Sequence, residues 1–143
     1  MEISHLIASR SIDDVVSCAP DTSVIDAVAL LASKRIGALP VIESGAIVGI
    51  FSERDVIYRL AEEGKGCIDT NVGAIMSSPP ITVDRRSSID NALALMTRRR
   101  IRHLPVVDNG AFCGFISIGD LVKSRYDEVH HEANAMRQYI QTV

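Results

Sequence analysis

The 143-residue sequence predicts an α+β fold in which two β-α-β-β-α repeats pack about a pseudo-twofold axis. Three observations carry that expectation. Leu39-Pro40-Val41 recurs as Leu104-Pro105-Val106, 65 residues on, and the middle of the chain keeps the same offset. Within each copy the apolar spacing switches between helical and strand-like periods in one fixed order. The composition, 47% apolar and 23% charged, is that of a domain with a real core and excludes disorder.

Each repeat opens on an extended lead-in, Val15-Val16-Ser17-Cys18 or Pro80-Ile81-Thr82-Val83. A helix follows, with Val24, Ala27, Val28 and Leu31 on its apolar face in the first copy and Ile89, Ala92, Leu93 and Met96 in the second. Ser23 with Asp26, and Ser87 with Asp90, have the spacing by which a hydroxyl and a carboxylate satisfy free first-turn N–H groups. Next comes a hairpin: a Leu-Pro-Val strand, a turn at Glu43-Ser44-Gly45 or Asp108-Asn109-Gly110, and a second apolar run, Ile47 to Phe51 or Phe112 to Ile116. A second helix starts at Ser52 or Ser117; in the first copy Val56, Ile57, Leu60 and Ala61 form its apolar face and Gly64 ends it.

Further identities fix the register: Ala27, Ala29 and Leu30 with Ala92, Ala94 and Leu95, and Arg35-Ile36 with Arg100-Ile101. Gly49 matches Gly114, and Ser52 and Asp55 match Ser117 and Asp120. Two copies imply a closed pair rather than a solenoid. The expected division is a first repeat with its N-terminal lead-in over 1–64, a second over 65–124, and a helical tail over 125–143, with Gly64 to Gly73 as the linker. The tail stripe Val129, Ala133, Met136 and Ile140 has little left to cover and points to a dimer contact.

Charge and motifs narrow the function. Fifteen Lys and Arg against eighteen Asp and Glu give a net −3, too acidic for a coat on DNA or RNA. Six arginines (Arg85, Arg86, Arg98, Arg99, Arg100, Arg102) stand against Asp84 and Asp90, a local excess suited to polyphosphate, RNA or an acidic partner, or to a solvated helix face. Met1-Glu2-Ile3-Ser4 carries no positive leader, and the longest apolar run, Ala27 to Ala32, is too short for a membrane span. Three widely spaced cysteines indicate neither disulfides nor zinc, so a soluble cytoplasmic protein is expected. His130, His131 and Glu132 lack the spacing of a metal site, and no nucleophile elbow, P-loop or dinucleotide fingerprint occurs. The expectation is a protein that is not an enzyme and needs no cofactor or metal.

The chain resembles tandem cystathionine-β-synthase (CBS) domains, the Bateman module, over roughly Val15 to Ser124. The resemblance rests on Met76-Ser77 with Pro80-Ile81-Thr82-Val83, on Arg102-His103-Leu104-Pro105-Val106, and on the paired runs Gly49-Ile50-Phe51-Ser52-Glu53-Arg54-Asp55 and Gly114-Phe115-Ile116-Ser117-Ile118-Gly119-Asp120. It implies a regulatory module that senses AMP, ADP or ATP, with NAD(H) or S-adenosylmethionine as alternatives, and that pairs as a flat homodimer. With no room for an attached catalytic domain, output is expected in trans, on an effector protein or through oligomer geometry.

Ser52 and Asp55, like Ser117 and Asp120, stand three apart where strand passes to helix. An ionised Asp accepts hydrogen bonds only, which suits the two hydroxyls of a ribose. The same spacing makes a capping box, and the two roles are compatible. The resemblance assigns ribose contacts to these positions, pairing Ser52 and Asp55 with Arg102 and His103, and Ser117 and Asp120 with Gly37 and Ala38. Arg102 offers a bidentate fork for phosphate and His103 a further donor, whereas Gly37 and Ala38 leave their cleft without them, so the Arg102 cleft ranks first. Arg54 would reach a phosphate or pair with Glu53 or Asp55. Ile50 and Ile81 suit the faces of an adenine or the core, and Thr82 and Ile101 complete the candidate set. The competing readings are a nucleic-acid binder and a structural dimerisation module in which these serines and aspartates only cap helices.

Overall fold

The computed structural model describes residues 1–142 and contains the duplicated unit. The first repeat runs α2 (Val24–Lys34), β1 (Ala38–Glu43), β2 (Ala46–Ser52) and α3 (Glu53–Glu63). The second runs β3 (Val83–Asp84), α5 (Ile89–Arg99), β4 (His103–Asp108), β5 (Ala111–Ser117) and α6 (Ile118–Thr142). Short helices α1 (Ile3–Ile7) and α4 (Val72–Ile75) precede the two repeats. β1 and β2 form a two-stranded antiparallel sheet; β4 and β5 do the same, with β3 added in parallel.

The repeats agree in detail. Both ladders shift register at equivalent points, Val41/Ile42 and Val106/Val107. Both hairpins turn through two residues of positive φ, Ser44-Gly45 (52° and 79°) and Asn109-Gly110 (50° and 82°), which match the twist of the flanking strands. Each repeat has its own core, one around Leu39, Val41 and Phe51, the other around Leu104, Val106 and Ile116, all fully buried.

Several expectations need correction. α5 is capped by Ser88, whose hydroxyl accepts from the Asn91 N–H at 3.0 Å, so the Ser87/Asp90 pairing is one residue out of register. Ser88 is the residue that the 65-residue offset pairs with Ser23, which caps α2. The first lead-in is reduced to a single bridge from Cys18 to Val41, and in the second the ladder begins only at Val83. Residues 64–73 are not a bare linker: a 3₁₀ helix over Gly64–Asp69 and the start of α4 bury Cys67 and Val72. Ile57 and Leu60 of α3 and Val28 of α2 remain exposed, because the sheet offers each helix only one narrow face. The tail continues α6 without a break; Val143 lies outside the described residues.

The leading helices are exchanged between repeats. α1 belongs by sequence to the 1–64 unit, yet Ile3 and Ile7 lie in the second core with Val83, Ile89 and Met96. α4, leading into the second repeat, puts Val72 and Ile75 into the first core with Val24 and Phe51. Backbone bonds mirror the exchange: Ile3 N–H to the Ser87 carbonyl at 2.9 Å, and Val72 N–H to the Thr22 carbonyl at 2.8 Å.

Candidate functional site

α3 begins where β2 ends, and the capping box that starts it also builds the floor of a cleft. Ser52 N–H and hydroxyl both donate to Asp55 Oδ2, at 2.9 and 3.1 Å, while the Asp55 N–H returns to Ser52 Oγ at 3.3 Å. The Ser77 hydroxyl donates to Asp55 Oδ1 at 2.9 Å. Ser77 is held there because its backbone exchanges two hydrogen bonds with Ile50, at 2.8 and 3.0 Å. Oδ2 thus has both lone pairs engaged and Oδ1 keeps one, which aims an unused acceptor at the cleft.

The cleft, about 350 Å³, takes its walls from both repeats. Ile50, Ser52, Arg54 and Asp55 come from the first; Ile81, Ile101, Arg102 and His103 come from the second. Gly37 and Ala38, expected opposite Ser117 and Asp120, line this cleft too, and Gly37 also shares a more open hollow with Ser117 and Ile118. Thr82 is half-buried beside Ile81 and is not one of the walls. Sequence reading missed Tyr58, Ser77, Pro79, Pro80 and Arg100, which also line it. The signals were present: Tyr58 follows Asp55 at helical spacing, and Ser77 and Pro80 lie in the segment that leads into the second repeat.

The rim is basic and cross-linked. Arg54 does not pair with Glu53 or Asp55; its Nη1 donates across the cleft to the Arg100 carbonyl at 2.9 Å. Arg102 Nη2 meets Glu53 Oε1 at 2.9 Å in an exposed pair, which contributes little and is easily exchanged for another anion. His103 stacks on Phe115, ring centroids 5.6 Å apart and 13° between planes. Burial, reinforced by the Arg102 charge, pushes its pKa below the ordinary imidazole value against the pull of Asp120 and Glu53, so at neutral pH it offers one donor and one acceptor.

The counterpart of Asp55 is engaged differently. Asp120 accepts the Ser117 N–H at 2.9 Å, and Arg10 meets its other oxygen at 3.0 Å. Burial pushes the Asp120 carboxyl up, but the hydrogen bonds from Arg10 and Ser117 and the Arg10 charge outweigh it and hold the group below its usual range. Arg10 stands just beyond α1, so the exchanged leading segment brings it there. The arginine run is divided: Arg85 and Arg86 turn to Asp108 at 3.3 and 3.8 Å, whereas Arg100 and Arg102 face the cleft.

Comparison with known proteins agrees with this fold. Residues 6–62 and 72–127 each match the CBS domain family. The mitochondrial CBS domain-containing protein CBSX3 of Arabidopsis thaliana is 36% identical over 129 residues, covering 87% of this chain, which spans 63% of that relative's length. The crystal structure of the CBS-domain protein ATU1752 from Agrobacterium tumefaciens is 35% identical, with a TM-score of 0.81, covering 87% of this chain and 99% of that one. CBSX2 of Arabidopsis thaliana, solved in complex with AMP, is 26% identical, with a TM-score of 0.75 and coverage of 88% and 96%. With its repeat, its exchanged leading helices and both matched segments, the chain belongs to the CBS-domain family as a tandem CBS pair.

Proposed function

We propose that the cleft between the repeats binds an adenosine nucleotide and that the chain is a regulatory module, not an enzyme, whose output reaches an effector protein or changes oligomer geometry. One observation carries this reading: a carboxylate with a spare acceptor, three arginines and four apolar side chains (Ile50, Pro80, Ile81, Ile101) converge on one space of about 350 Å³. The apolar walls fit a purine, Asp55 fits ribose hydroxyls, and Arg54, Arg100 and Arg102 fit phosphates. AMP in the related CBSX2 supports the same ligand class. Bridging two repeats gives the ligand leverage over their arrangement.

The exposed Val28 and Ile57, which share one hollow, and the exposed Leu60 and Val122 support a homodimer formed through apolar helix faces. None of the described helices is long and apolar enough to cross a membrane. Three free cysteines fit a reducing compartment, such as the cytoplasm.

The test is thermal unfolding of ligand-free protein against AMP, ADP, ATP, NAD, NADH and S-adenosylmethionine. A ligand at 100 times its Kd adds about 2.7 kcal/mol. Stabilisation by one adenosine compound that Asp55→Ala removes supports the reading; no shift with any of them leaves the dimerisation role.

A further inference from the structure

From Val129 onward every described residue of α6 is exposed, so the last part of the helix buries no apolar side chain in the cores of its own chain. Its apolar residues nevertheless keep a strict order. Val122, Tyr126, Val129, Ala133, Met136 and Ile140 follow one another at alternating steps of four and three, the seam of a two-stranded coiled coil. The five larger ones are between 54% and 67% exposed.

We propose that the occupant of this seam is α6 of a second copy of this chain, packed parallel and in register. The flanking charges select that arrangement. In a parallel pair each Glu132 lies opposite Arg137 of the other copy, giving two attractive contacts by symmetry. An antiparallel pair that aligns Val129 with Ala133 brings Glu132 onto Glu132 and Lys123 onto Arg137, like charges at both of these levels. A foreign helix would need to reproduce the same acidic and basic positions; a second copy has them by construction. This extends the homodimer proposed above and does not depend on nucleotide binding.

Cysteine cross-linking tests orientation directly. Under mild oxidation, Met136→Cys is expected to form a disulfide-linked dimer absent from the wild type, and a mixture of Met136→Cys with Tyr126→Cys gives only the two like-with-like products. Cross-linking only between Tyr126→Cys and Met136→Cys shows an antiparallel pair and overturns the proposal. No cross-link in a protein that is a dimer by light scattering overturns the tail pairing and leaves the homodimer; a monomer overturns both. Charge reversal adds a second reading: Glu132→Arg and Arg137→Glu each reduce the Met136→Cys yield several-fold, and combining them restores it.

Discussion

Arg10 and Asp120 are joined by two contacts, Nη2 to Oδ1 at 3.0 Å and Nη1 to Oδ2 at 3.3 Å, whereas Asp55, the counterpart of Asp120, faces two serine hydroxyls. Pseudosymmetric carboxylates therefore have unequal partners, and the one in the second repeat already holds a cation from its own chain. Calorimetric titration is expected to find one adenosine nucleotide per chain. Asp55→Ala should remove the ligand-induced rise in Tm and Asp120→Ala should leave it, although each loses the carboxylate half of a reciprocal pair whose serine half, bonded to the backbone N–H, remains.

Acidification acts on two of these groups in different ranges. His103 has a lowered folded pKa, so the unfolded chain takes up the proton first, and stability falls as pH drops below about 6.5. Asp120 also has a lowered folded pKa, so its contribution is present at neutral pH and is lost as pH falls through the carboxylate range. Urea unfolding from pH 7 to pH 3 should show His103→Gln flattening the upper part of the profile and Arg10→Ala the lower part.

A methyl group at Gly49 would stand 2.7 Å from Met76 Sδ and 2.9 Å from the Ser77 carbonyl oxygen. The side chain can yield freely, but the backbone can do so only by straining its two bonds to Ile50. Gly49→Ala should lower Tm and weaken nucleotide binding together, since Ser77 moves away from Asp55. Gly66→Ala, with open space around it, serves as the tolerated control.

Phe51 is fully buried at the centre of the first core. Phe51→Ala should cost about 3–5 kcal/mol in chemical denaturation. Tyr58→Ala, one turn beyond the cleft floor and mostly exposed, should change stability little while lowering nucleotide affinity.

The repeat, the hairpins and the strand-to-helix handovers were legible because each is written locally: a Ser-x-x-Asp start, a two-residue turn, an alternating strand. The offset of 65 residues even contained the correct cap at Ser88, which the nearer Ser87/Asp90 spacing obscured. What was not legible was set by contacts distant in sequence. Nothing near Arg10 signals that it meets Asp120, 110 residues on, or that Ile3 packs beneath Leu104 rather than Leu39. The exposure of Ile57 and Leu60 had the same origin, for an apolar stripe shows that a face must be covered without saying by which molecule.

The exchange of leading helices has a consequence for synthesis. The first core is complete once the chain has been made as far as Ile75. The second core must wait for Leu104, Ile116 and Leu121, although Ile3 and Ile7, which it needs, are made ahead of both repeats. α1 therefore waits without its binding partner while the whole of the first repeat is made. A break in the chain between the repeats would not release two independent halves: each fragment would carry the other's lid.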